Sequence, residues 1–196
     1  MTLKRIFFAY AEKPILFDVS FDLPPTGVTC LTGESGCGKT TLLRLLCGLE
    51  TPQSGEILDA PRRPAVVFQE DRLLPWKTAL ENVTLVLGNA PDAESRAKQA
   101  LDAVGLTDEE QARPPKELSG GQCRRIALAR ALALPDADAL LLDEPFTGLD
   151  DERVDTVAAL LCDAAKEKPV FIITHDSDDA KRLDATLLRL RNGVVE

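Results

Sequence analysis

The feature that most constrains this chain is an eight-residue run, Gly33-Glu34-Ser35-Gly36-Cys37-Gly38-Lys39-Thr40, which fits G-x-x-x-x-G-K-[ST] at every position. Such a run has chemical meaning only between a strand and a helix, and both flanks suit it. Val28 to Leu31 reads as a short buried strand, and Thr41-Leu42-Leu43-Arg44-Leu45-Leu46 reads as a helix stopped at Gly48. Glycines let the backbone curl so that successive N–H groups face an anion, and the helix directs its positive end at the same place. In such a loop Lys39 would bridge the β- and γ-phosphates of a nucleotide and the Thr40 hydroxyl would hold Mg²⁺. The candidate nucleotide-binding run is therefore Gly33, Glu34, Ser35, Gly36, Cys37, Gly38, Lys39, Thr40 and Thr41.

The rest of the chain alternates strands with helices. Ile15, Phe17, Val19, Phe21 and Leu23 alternate with mostly polar residues, predicting a strand with one buried face. Pro24-Pro25-Thr26-Gly27 marks a turn. Ala65 to Phe68, Ala139 to Leu142 and Val170 to Ile173 are continuous apolar runs of the kind found in parallel sheets covered on both faces. Between them, Gln122 to Leu134 and the face marked by Val154, Val157, Leu161 and Ala164 predict helices. Residues 70–118 read as a mostly helical insertion, with Ala97, Leu101 and Val104 at helical spacing and Gly105 placed to end a helix. Asn192-Gly193 predicts a final hairpin turn. The expected fold is α/β: a parallel sheet flanked by helices, joined by right-handed crossovers, with an N-terminal antiparallel part. We expect one domain over 1–196 with a helical subdomain inserted at about 70–134.

Composition narrows the function. The chain has 196 residues, 44% of them apolar, which is enough for a real core. A net charge of −9 argues against the broad basic footprint of a nucleic-acid binder, so no nucleic-acid partner is expected. No run of 18 apolar residues exists to span a membrane, and the N-terminus does not read as a secretory signal. Five scattered cysteines, with no CxxC pair, read as reduced thiols rather than a metal or redox site.

Leu118-Ser119-Gly120-Gly121-Gln122 places a hydroxyl and two glycines ahead of a helix, a second candidate anion site. It also reads LSGGQ, and with it the chain resembles the ATP-binding cassette (ABC) family over nearly its full length. The resemblance implies two subunits paired head to tail, each ATP lying between the phosphate loop of one and Ser119, Gly120, Gly121 and Gln122 of the other. Leu140-Leu141-Leu142-Asp143-Glu144 resembles the Walker B strand, implying Asp143 on Mg²⁺ and Glu144 as the base acting on water. Gln69 looks like the Q-loop glutamine that contacts Mg²⁺ and couples to the transporter. In Thr147-Gly148-Leu149-Asp150 only Leu149 and Asp150 match the D-loop firmly. His175, the single histidine, sits where the family places its switch histidine. Tyr10 has two readings: the aromatic that stacks on adenine, or a strand tyrosine packed on the core.

Leu73-Leu74-Pro75-Trp76 after Gln69 resembles importer ATPases for nitrate, sulfonates and taurine; the plainer reading of Trp76 is an anchor for the helical subdomain. The resemblance thus implies an ATP-hydrolysing subunit at the cytoplasmic side of the membrane, with transmembrane permease subunits and a solute-binding protein as partners. Exporter or lipoprotein-release ATPases are the alternative within the family. The stretch from Glu50 to Pro64 is compressed relative to that importer pattern, and from the early end after His175 we expect no C-terminal regulatory domain. Two other readings stand: a soluble cassette ATPase of DNA repair or translation, which would carry a coiled-coil insertion or a second cassette, and a non-hydrolysing clamp, which would lack Glu144 or His175.

Overall fold

The computed structural model describes residues 1–196. Its nine strands are β1 (Thr2–Tyr10), β2 (Lys13–Asp22), β3 (Gly27–Thr32), β4 (Ser54–Leu58), β5 (Pro64–Val67), β6 (Ala139–Asp143), β7 (Pro169–Ile173), β8 (Thr186–Arg191) and β9 (Val194–Val195). The helices are α1 (Lys39–Leu46), α2 (Ala79–Leu87), α3 (Ala93–Ala103), α4 (Asp108–Gln111), α5 (Gly120–Ala133), α6 (Asp151–Ala164) and α7 (Ser177–Arg182).

A six-stranded sheet runs in the order β5-β6-β7-β3-β8-β9. Its first five strands are parallel, and β9 closes the edge antiparallel to β8. Alternate residues of the same strands enter two different cores. Cys30, Leu140, Leu142 and Ile172 pack with Val157 and Leu161 of α6. Leu31, Leu141, Phe171 and Ile173 pack with Leu42, Leu43 and Leu46 of α1 and with β1 and β2. A sheet covered on both faces needs apolar residues at every position, so these strands read as unbroken runs. The final hairpin turns at Asn192 (φ 50°) and Gly193 (φ 76°), the two positive φ values of a type I′ turn.

A separate antiparallel sheet, β2-β1-β4, lies against the second core. Here the alternation expected for Ile15 to Leu23 fails. Leu16, Val19 and Leu23 are the buried residues, and Phe17 is 43% exposed. The β1–β2 register shifts between Ile6 and Phe8, and Asp18 adopts φ 54°. An extra residue in one strand re-aims the side chains on either side of it, so the buried set steps from 16 to 19. The same device at Arg5 (φ 49°) sends Leu3, Ile6 and Phe8 inward and hides β1 from a period-two reading.

Helices α2, α3 and α5 enclose a third core of Val83, Leu87, Ala97, Leu101, Leu106 and Ile126. Helix α5 serves two cores at once, with Ile126 and Ala129 in this one and Ala127, Leu128 and Ala131 in the first. It therefore joins the helical insertion to the sheet. Trp76, just before α2, is 73% exposed, so it does not anchor the helices from inside.

Candidate active site

Strands β3, β6 and β7 end side by side, and the loops leaving them gather at one edge of the sheet, where α/β proteins bind ligands. After β3 comes the Gly33–Thr40 loop. Gly38, at φ 110°, holds the position before α1; a Cβ there would meet Ile15 Cγ2 at 2.9 Å. No side chain caps α1, so the unpaired N–H groups of its first turn remain available to an anion. Lys39 Nζ reaches across the loop and donates to the carbonyls of Gly33 (2.7 Å) and Glu34 (3.0 Å).

After β6, Asp143 Oδ2 accepts a hydrogen bond from Thr40 Oγ1 at 2.8 Å. Asp143 is only 2% exposed. Burial pushes its carboxyl upward, opposed by the Thr40 hydrogen bond and by the charge of Lys39. No cluster of three or more His, Cys, Asp or Glu side chains gathers to hold an ion alone. One hydroxyl and one carboxylate, both hard oxygen donors, suit a Mg²⁺ ion that takes its other ligands from water and substrate phosphates.

Glu144 leaves the strand at φ 53°, its N–H donating to the carbonyl of Ile173 at 2.9 Å. That anchor ties the carboxylate to the neighbouring strand, and Glu144 Oε2 lies 2.7 Å from His175 Nδ1. The Glu144 side chain is 17% exposed and that of His175 75% exposed, so the pair stands at the rim of the edge. It opens onto a cleft of about 400 Å³ shared with Thr147, Leu149 and Asp179. Asp179 accepts from Thr174 Oγ1 at 2.5 Å, steadying the residue before His175, and burial raises its carboxyl.

Gln69 follows β5 at the same edge and is exposed. Tyr10 is exposed too. Its hydroxyl accepts from Arg44 and donates to Glu50, each at 3.3 Å, and its ring meets Phe8 edge-on at 4.8 Å. On the far side of the phosphate loop, Glu34, Ser35, Gly36 and Cys37 share a cleft of about 550 Å³ with Lys13, Phe17, Arg189 and Arg191.

The second candidate anion site opens α5. No hydrogen bond joins residues 119–122 to the phosphate loop. Ser119 caps α5 in a capping box: its Oγ accepts from the Gln122 N–H (3.2 Å), and its own N–H donates to Gln122 Oε1 (2.6 Å). Gln122 also donates to Glu110 Oε1 at 2.5 Å. Gly121 packs against Gly148, so closely that a Cβ would fall 2.5 Å from the Gly148 carbonyl oxygen. Asp150 caps α6, accepting from the Arg153 N–H at 2.9 Å.

Several partners here are invisible to motif reading. Glu110, Arg44 and Glu50 are ordinary charged residues in sequence. So are Arg124 and Arg130, which grip the backbone around Gln69; the only hint is the three arginines, Arg124, Arg125 and Arg130, inside a largely apolar helix.

A family model described as "ABC transporter" matches residues 16–147. The chain is 42% identical over 199 residues to aliphatic sulfonates import ATP-binding protein SsuB 1 of Paracoccus denitrificans (strain Pd 1222), spanning all of this chain and 81% of that protein. It is 45% identical over 192 residues to SsuB 3 of Paraburkholderia xenovorans (strain LB400), spanning 95% of this chain and 74% of that protein. Among solved structures it is similar to the ATP-binding cassette MJ0796 in its dimeric post-hydrolysis state bound to ADP and Pi, with a TM-score of 0.87 at 28% identity over 100% of this chain and 96% of that one. By the match over residues 16–147 and these relatives, this chain belongs to the ABC transporter family.

Proposed function

We propose that the chain is the ATP-hydrolysing subunit of an ABC importer for a small solute, aliphatic sulfonates being the class named for its relatives. The observation that carries the ATPase reading is the meeting of Thr40–Asp143 and Glu144–His175 at the edge that also holds an uncapped helix start. Thr40 and Asp143 would hold Mg²⁺, with Gln69 beside them, and the ion would supply charge neutralisation for the nucleotide's phosphates. Lys39 exchanges its two loop carbonyls for phosphate oxygens. Tyr10 offers its ring face to adenine.

In the hydrolysis step a water oxygen bonds to the γ-phosphorus while the bond from that phosphorus to the β–γ bridging oxygen breaks. Glu144 accepts the water's proton, and the products are ADP and phosphate. His175 holds the Glu144 carboxylate and faces the γ-phosphate. Catalysis is positioning and charge neutralisation, with little covalent work for the protein.

The reading extends to a second copy, whose Ser119, Gly120, Gly121 and Gln122 face the nucleotide and whose Asp150 borders the shared interface. It extends also to permease subunits and a solute-binding protein, to a peripheral place on the cytoplasmic face of the membrane, and to the helical insertion at 70–134 as the part that meets the permease. No helix of the chain is long and apolar enough to cross a membrane. The exposed Trp76 favours contact outside the subunit. Phosphate release by the purified chain tests the ATPase reading: wild type turns over, Lys39→Ala does not bind ATP, and Glu144→Gln binds without turning over. Equal release by all three would overturn it.

A further inference from the structure

Two arginines of α5 hold the segment around Gln69 by its backbone. Arg124 donates to the carbonyls of Phe68 and Gln69, each at 2.7 Å. Arg130 donates to the carbonyls of Asp71 (2.8 Å) and Arg72 (2.9 Å). Asp71 Oδ1 lies 3.1 Å from Arg124 Nη1, close but poorly aligned for a hydrogen bond. Arg124 is 4% exposed although it bears a charge. Four guanidinium–carbonyl bonds therefore fix residues 68–72 to one helix. Within the segment, Arg72 adds a further staple, its guanidinium lying 4.3 Å over the Phe68 ring.

The same helix begins at Ser119. A rigid helix rises about 1.5 Å per residue, so the Arg124 grip sits only about 7.5 Å from the cap. On the reading proposed above, Gln69 faces the chain's own nucleotide and Ser119 faces the one bound by the partner. We propose that Arg124 and Arg130 are positioning residues that make the Gln69 segment and the Ser119 cap one rigid body. Ordering of Gln69 by one ATP then presents Ser119 to the other, and the two ATP sites of the pair respond together. The bidentate fork is essential, because a lysine keeps the charge but offers a single ammonium to two carbonyls.

Helix α5 supplies its own control. Arg125 makes the same kind of grip, donating to the carbonyls of Val104 (3.1 Å) and Gly105 (2.6 Å), but on the helical insertion rather than the Gln69 segment. The test measures phosphate release against ATP concentration for the full chain and for Arg124→Lys, Arg130→Lys and Arg125→Lys. Binding of a fluorescent ATP analogue to dilute monomer and thermal melting are followed in parallel.

For two coupled sites the Hill coefficient cannot exceed 2; it should stand clearly above 1 in wild type and Arg125→Lys, and fall to about 1 in Arg124→Lys and Arg130→Lys. Monomer affinity should stay within about twofold throughout, since no substituted residue is placed against the nucleotide. If the buried Arg124→Lys fails to fold, the half-buried Arg130→Lys carries the test. A wild-type Hill coefficient in both clamp variants, or an equal fall in Arg125→Lys, overturns the clamp. A wild type that hydrolyses ATP without cooperativity also overturns it while leaving the ATPase reading intact. A wild type that binds no ATP defeats the ATPase reading itself.

Discussion

Glu144 and Asp143 are adjacent carboxylates with different surroundings. Asp143 is buried against Thr40 and close to Lys39, which suits a fixed cation ligand. Glu144 turns out of the strand to the rim and meets His175, where water can reach it. Removing a general base costs about 10²- to 10⁴-fold in rate, so Glu144→Gln should lose that much turnover while keeping ATP affinity, as read by phosphate release and nucleotide binding. Asp179 gives a prediction on stability. Burial raises its pKa above the ordinary 3.8, so the folded state favours the protonated acid. Its contribution is therefore complete below the unfolded value and is lost as pH rises through the higher folded value. Asp179→Asn, which still accepts from Thr174, should melt higher than wild type above that window and gain nothing at lower pH. A melting series across pH reads the difference directly.

At the scale of elements, two helices begin with the same chemistry for different ends. Thr78 caps α2 and Ser119 caps α5, each in a capping box. Replacing either with alanine should cost about 0.5–2 kcal/mol in denaturant unfolding. Only Ser119→Ala should also weaken ATP-driven pairing, because in the proposed pair only that hydroxyl would face the partner's nucleotide. Gly121→Ala should behave more severely, since its Cβ would press on the Gly148 carbonyl and displace α5 from the loop before α6. The sheet was legible because strands buried on both faces are continuous apolar runs, and the phosphate loop because its glycines and Lys39 sit at fixed spacing. The antiparallel part was not. Bulges at Arg5 and Asp18 break the two-residue period that would have revealed β1 and that misassigned Phe17 to the core. The arginine grip on residues 68–72 was equally hidden, since contacts to backbone carbonyls leave no mark on the identity of the residues that accept them.

For the whole molecule, the central fact is that the phosphate loop leads into α1 while the Ser119 cap opens a different helix, α5. Each chain carries two helix starts suited to an anion, and on the proposed reading a single copy supplies only half of the nucleotide's surroundings. Family resemblance implies the head-to-tail pair, which would give both helix starts a nucleotide to face. In that proposed pair two sites would be completed at once, and hydrolysis, by removing the γ-phosphate, would remove what both copies hold. The most direct measurement is size-exclusion chromatography of wild type and Glu144→Gln with and without Mg-ATP. The account predicts that ATP drives Glu144→Gln into a stable dimer while wild type elutes mainly as monomer and releases phosphate. A Glu144→Gln protein that binds ATP yet stays monomeric at every concentration would contradict it.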